Sequence, residues 1–304
     1  MFTGVMANTW IAASIVAVIA GMTGYFAVLR GQTFAAHAIP NGAFAGAAGA
    51  SLLGINVIVG LAVVAVAGAL GIGALSSGTR DGKARHDVVT ALTLVLMLGL
   101  GALFVSVSTE YAQETYALLF GEVFGVSSAE VAPIAGLGIA AAVAIAVAFR
   151  PLMLTSALPE VADARGVSSR KVELYFLLVV AITTSMTVPV VGALLMFSLM
   201  IGPAAAARSV TARPGVALAL SVAIALVVTW LSIALAYRTN WPLGFFVGTG
   251  GAIFYLIGLA ARLLSARGTT PGAPDARPTA KAAILSSARA RKARPGGVAV
   301  IRSG

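Results

Sequence analysis

From Tyr175 to Ala207 the chain runs for thirty-three residues without a charge, with Arg170 and Lys171 ahead of it and Arg208 and Arg213 behind it. As one helix rising about 1.5 Å per residue the stretch would be about 50 Å long, against a hydrocarbon core of about 30 Å, so one straight span does not fit. Basic residues at both ends favour the cytoplasmic face, so the chain is expected to enter and return. The run Pro189-Val190-Val191-Gly192 is the natural place for the turn, leaving two short, imperfect helices. Irregular backbone is tolerated at membrane depth only where protein or a water cavity satisfies it, as happens in transport proteins. The expectation is a protein that moves something across a membrane.

Composition supports a membrane setting for almost the whole of Trp10 to Leu264. Hydrophobic residues make up 59 % of the chain and charged residues only 10 %, too little polar surface for a soluble domain of this length. The absence of cysteine excludes disulfides, thiolate metal sites and thiol catalysis. The net charge of +10 is concentrated late: Arg267, Arg277, Lys281, Arg289, Arg291, Lys292, Arg294 and Arg302 stand against the single acid Asp275. The excess is a property of the tail, which favours lipid headgroups over nucleic acid as its partner. No basic segment precedes the first apolar run, so 10–29 reads as a retained span rather than a cleaved signal. The expected organisation is a transmembrane domain over 1–264 and a disordered basic cytoplasmic tail over 265–304.

Nine segments are long enough to cross: 9–29, 36–54, 56–77, 88–107, 129–149, 172–189, 192–207, 215–237 and 242–261. With that parity Arg30, the run 80–85, the run 150–171, Arg208, Arg213 and the tail share one side. The opposite loops carry Glu110, Glu114 and Glu122 with the single cation Arg238. The asymmetry predicts an outside N-terminus and a cytoplasmic C-terminus. The segment 36–54, mostly Ala and Gly with His37, Pro40 and Asn41, reads as a broken or partly re-entrant helix. Glycine pairs four apart, at 42 and 46, 121 and 125, and 244 and 248, suit close helix packing in lipid.

No G-x-x-x-x-G-K-[ST] loop is present, so any ATP-driven step needs a separate ATPase subunit. With His37 and His86 the only histidines, neither a histidine-paired nucleophile nor an H-E-x-x-H metalloprotease site is supported, and the chain is not read as an enzyme. Between two spans, Pro159 and Glu160 suit the first turn of a short helix and Gly166 its end, giving about two amphipathic turns able to pass force to a cytoplasmic partner. A plain interfacial loop helix fits the same residues.

Several stretches in order then resemble one family: Val28-Leu29-Arg30 with His37, Asn41 and Gly46; 117–121 with Val126-Ser127; 160–166; and Val191-Gly192-Ala193-Leu194-Leu195-Met196 with Ile201-Gly202-Pro203 running to Arg208. Together they resemble the membrane permease of metal-ion ABC importers, the group that takes up zinc, manganese or iron. The resemblance implies an all-α polytopic protein of about eight to nine transmembrane helices with the type II, cobalamin-importer-like fold. It further implies a second permease copy with the pathway on the dimer axis, an ATP-binding cassette subunit under each copy, and an extracytoplasmic metal-binding protein. It assigns the helix at 159–166 to ATPase coupling through Glu160, Asp163 and Gly166. No cofactor is expected to be tightly bound, the divalent metal being cargo, and the membrane is the cell membrane.

One departure concerns that cargo. Permeases of the group carry G-D-x-x-x-H-x-x-x-x-G after the arginine, and counted from Arg30 the acid and histidine positions hold His37 and Asn41. Imidazole and carboxamide still offer ligands to a borderline divalent cation, in a less negative site. His37 and Asn41 are therefore the candidate translocation path, with a structural role for His37 equally open. Pro189, Gly192, Gly202 and Pro203 are read as shaping the broken helices. Glu110, Glu114 and Glu122 fit either cation gathering or a solvated loop, and His86 and Asp87 an ordinary charged loop. A gradient-driven secondary transporter, an ABC permease for a non-metal cargo and a membrane scaffold remain as alternatives.

Overall fold

The computed structural model describes residues 5–76, 82–107, 119–121 and 125–268. Among them are ten helices: α1 (Val5–Arg30), α2 (Thr33–Leu52), α3 (Val57–Leu75), α4 (Gly82–Val107), α5 (Ser128–Ala157), α6 (Pro159–Ala164), α7 (Ser169–Val191), α8 (Ala193–Val210), α9 (Pro214–Thr239) and α10 (Leu243–Gly268). No strand occurs among the described residues. Each of the nine expected spans corresponds to a helix, and the short helix after Leu158 is α6. Chain contacts divide the protein after Arg262. The tail from residue 269 onward, and Glu110, Glu114 and Glu122, lie outside the described residues.

Seven helices are long and apolar enough to cross a membrane; α2 and α8 are not among them. For α2 the reason is location, because fourteen of its twenty residues are buried against protein. A helix shielded from lipid can be built of Ala, Gly and a few polar residues. The expected break in this segment is absent. Pro40 removes one backbone donor, yet the helix continues from Thr33 to Leu52, held by α3, α4, α7 and α8 around it.

Helices α1 and α7 form the centre. They bury 67 % and 72 % of their apolar stretch, whereas α4 and α10 bury 17 % each and present Leu92, Val95, Leu256 and Ile257 outward. Helix α1 packs on α5, α7, α8 and α9, and α7 on α1, α2, α3, α5 and α8. In lipid, apolar side chains gain little from leaving one hydrocarbon environment for another, so close backbone approach has to hold these helices together. At the α2–α3 crossing a Cβ on Gly46 would overlap the Gly60 carbonyl oxygen, and one on Gly60 the Gly46 oxygen. That contact gives the pair at 42 and 46 a packing role.

Polar groups within α7 are satisfied internally. Thr183, Thr184, Ser185 and Thr187 each donate to the carbonyl one turn back, at 2.6–2.9 Å, and Thr183 also meets Thr23 of α1 at 3.1 Å. Hydroxyls bonded this way loosen and bend a helix. They lead directly into the break.

Candidate translocation and coupling site

The turn expected at 189–192 is a single residue. Pro189 and Val191 are still helical, and Gly192, at φ +90° and ψ 152°, separates α7 from α8. That backbone region is open essentially to glycine alone. Its amide still bonds the Val188 carbonyl and its carbonyl accepts from Met196, so the interruption leaves neither group orphaned. Gly121, at φ +79°, touches it so closely that a Cβ on either would strike the backbone of the other strand of chain. Gly202 and Pro203 do not interrupt α8. Gly202 instead lets α10 approach, since a Cβ there would lie 2.9 Å from the Gly251 Cα.

His37 and Asn41 stand one turn apart on α2, facing α8. The Asn41 Nδ2 donates to the His37 carbonyl oxygen at 2.8 Å and lies 3.3 Å from the His37 Nδ1. With the amide NH₂ directed at both, the ring accepts at Nδ1 and carries its proton on Nε2. The imidazole meets the Phe197 ring edge to face, with centroids 4.8 Å apart. Phe197 in turn lines an open groove between α8 and α10 with Ile201, Gly202, Gly251 and Tyr255. Asn41 is buried and His37 half-buried. Among the described residues no three His, Asp or Glu side chains gather where they could hold a metal ion.

At the end of the bundle that carries α6, a charged cluster appears that sequence reasoning missed. Arg30, the last residue of α1, donates through a terminal guanidinium nitrogen to the Thr155 Oγ1 at 2.8 Å and the Ser156 Oγ at 3.4 Å, both in the last turn of α5. Its Nε donates to the Gln32 Oε1 at 3.4 Å, and its guanidinium lies 5.8 Å over the ring of Phe176. The Glu173 carboxylate of α7 lies in the same corner, with its Oε1 3.0 Å from the Nδ1 of His86 on α4. A polar cavity sits among Arg30, Gln32, Ser76, His86, Asp87 and Glu173.

This corrects the loop reading of His86 and Asp87. Both lie inside α4, which begins at Gly82, and His86 is buried, because the charged approach to this span is already helical and sets the imidazole 3.0 Å from Glu173 of α7. One signal for the cluster was available in the sequence. Glu173 is the acid nearest the uncharged run, and such a residue at a span's entry requires a partner.

Helix α6 rises between α5 and α7 with Pro at its first position. Ala162 alone is buried, while Glu160 and Asp163 face outward with Leu158 and Val161. The Ser169 Oγ donates to the Asp163 Oδ1 at 3.3 Å, tying α6 to the first residue of α7. Gly166, at φ +74° with open space around it, ends the element. The structure brings Glu160, Asp163 and Gly166 together, and it places His37 and Asn41 apart from them, on α2.

Comparison with known proteins accords with this architecture. The manganese import system permease protein ScaB of Streptococcus parasanguinis is 27 % identical over 253 residues, covering 82 % of this chain and 88 % of that protein. The manganese transport system membrane protein MntC of Listeria innocua is 26 % identical over 208 residues, covering 68 % and 73 %. In fold, the structure of PsaBC from Streptococcus pneumoniae in complex with Fab matches with a TM-score of 0.77 over 87 % of this chain and 96 % of that one, at 23 % identity. The ABC 3 transport family description matches residues 3–262, and the chain belongs to that family.

Proposed function

We propose that this chain is the membrane conduit of an ATP-driven importer of a divalent metal cation, with manganese the first candidate and zinc the second. The observation that carries the reading is α6, a short exposed helix pinned between two spans at the end where Arg30, Arg165, Arg170 and Lys171 collect. Such a helix offers Leu158, Val161, Glu160 and Asp163 to a partner while Ala162 anchors it. The partner is an ATP-binding cassette ATPase on the cytoplasmic side, the side on which the C-terminus also lies in this reading. Membership of the ABC 3 transport family and the manganese named for two similar permeases support both the ATPase and the cargo.

The cargo is met by His37 and Asn41. In the described geometry the lone pair of the His37 Nδ1 is occupied by the Asn41 amide. Rotation of that amide frees the imidazole nitrogen and turns the carboxamide oxygen toward the same space, two neutral ligands one turn apart. A site of two neutral ligands holds a divalent cation weakly, which suits passage rather than storage. A second copy of the chain supplies another such pair, and an extracytoplasmic binding protein delivers the ion.

The test is reconstitution of the permease with its ATPase and binding protein in lipid vesicles, followed by radioactive manganese uptake with and without ATP. Uptake that requires ATP supports the reading; equal uptake without nucleotide points to a gradient-driven transporter and removes it.

A further inference from the structure

Both shoulders of α6 converge on one corner of the fold. Before it, Thr155 and Ser156 of α5 bond the Arg30 guanidinium. After it, Glu173 of α7 lines the same cavity as Arg30 and Gln32. Arg30 ends α1 and Gln32 closes the two-residue junction to α2, and this junction is stiff. Gly31, at φ +67°, lets the Gln32 amide bond the Ala27 carbonyl at 2.9 Å, and the Gln32 carbonyl accepts from Ala36 at 3.0 Å. The end of α1 and the start of α2 therefore move as one piece. His37 lies five residues beyond Gln32, about 7.5 Å along the axis of α2.

The chemistry of the corner suits transmission. A guanidinium is a planar fork whose nitrogens bond partners in fixed directions, and here one edge engages α5 while the Nε engages Gln32. The Phe176 ring beneath it is fully buried and fixes its height. Gln32 uses its side chain for Arg30 and not to cap its own helix.

We infer that Arg30 and Gln32 are the positioning residues through which a displacement of α6 reaches α2, and with it His37 and Asn41. The inference rests on the ATP-driven reading above. It places the linkage in side-chain hydrogen bonds at the α1–α2 corner and not in the α7–α8 break.

The experiment measures manganese taken up per ATP hydrolysed, using the full permease assembled with its ATPase and binding protein in vesicles. Arg30→Lys keeps the charge and loses the fork. Its expected result is an uptake-to-hydrolysis ratio lowered by at least about fivefold, the lower edge of ordinary coupling energies, with ATPase turnover and complex assembly retained. Thr155→Val with Ser156→Ala, which leaves α1 and α2 untouched, should lower the ratio in the same way, and Thr155→Ser should restore it. This second set decides the matter if Arg30→Lys fails to assemble. A ratio unchanged in the Thr155 and Ser156 variant overturns the inference, as does a parallel loss of hydrolysis and uptake, which would mean that docking itself was lost. If the unaltered complex takes up manganese equally well without ATP, the ATP-driven reading fails and takes the inference with it; that result is separate, because it appears before any substitution.

Discussion

His86 and Glu173 join α4 to α7 through a contact of 3.0 Å between Nδ1 and Oε1, with the histidine side chain 11 % exposed and the glutamate 31 %. The two atoms stand at ion-pair distance, and neither ring nitrogen of His86 makes a hydrogen bond among the described residues. A polar pair in so dry a setting is worth most as a pair, because removing either member leaves the other short of a partner. Glu173 shares its cavity with Arg30 and Gln32, whereas the buried His86 ring has only the Glu173 contact.

Alanine at His86 or at Glu173 is accordingly expected to lower stability by about 1–3 kcal/mol. The double replacement His86→Leu with Glu173→Leu should cost less than the sum of the two single leucine variants, since neither polar group is then stranded. Thermal unfolding in detergent, followed by tryptophan fluorescence, reads all of these. Strict additivity would show that the contact carries no coupling energy.

Gly192→Ala should be among the most damaging single changes in the chain. Its φ of +90° puts about 1–3 kcal/mol of strain on any other residue, and the new methyl would meet the Leu119 carbonyl oxygen at 2.5 Å. Gly71→Ala in α3 is the control. No atom lies within 4 Å of its Cβ position, so helix propensity should make it neutral or stabilising by up to about 1 kcal/mol. Membrane-inserted yield and melting temperature of the two variants provide the comparison.

Asn41→Asp introduces a carboxylate one helical turn from His37. A charged oxygen binds a divalent cation more tightly than a carboxamide and releases it more slowly. The KM for manganese uptake should therefore fall by about tenfold, equivalent to 1.4 kcal/mol, while the maximal rate also falls. His37→Ala should reduce the maximal rate. Unchanged kinetics in both variants would remove these residues from the path.

Asp163→Ala with Gly166→Ala attacks the other end of the machine. The first loses the Ser169 contact, and the second forces a Cβ onto a φ of +74°. The expected outcome is a permease inserted at normal levels, with uptake lost and ATPase turnover no longer stimulated by the loaded binding protein. Normal transport in this double variant would count against docking at α6.

Much of the bundle was legible because lipid imposes simple rules. Length and hydropathy located the nine segments that form the long helices, seven of them long and apolar enough to cross a membrane, and the excess length of 175–207 required the interruption that Gly192 provides. Helix α6 was equally readable from Pro159 and Gly166, since its limits are set by local backbone chemistry.

The continuity of α2 could not be read in the same way. Pro40, Asn41 and the string of small residues predicted a break on local grounds, and the helix persists because four neighbours enclose it. The corner of Arg30, Gln32, His86 and Glu173 was also hidden, with 143 positions separating Arg30 from Glu173. One-dimensional patterns record what each segment demands of its solvent, so the sequence by itself determined which segments become the long helices, where the chain must bend and which short helix stays outside the core. Which polar side chains meet depends on how buried helices pack, and in lipid that packing follows from close backbone contacts such as Gly46 against Gly60, with little sign in hydropathy. Only the tertiary structure decided that His37 faces Phe197 and that Arg30 reaches Thr155.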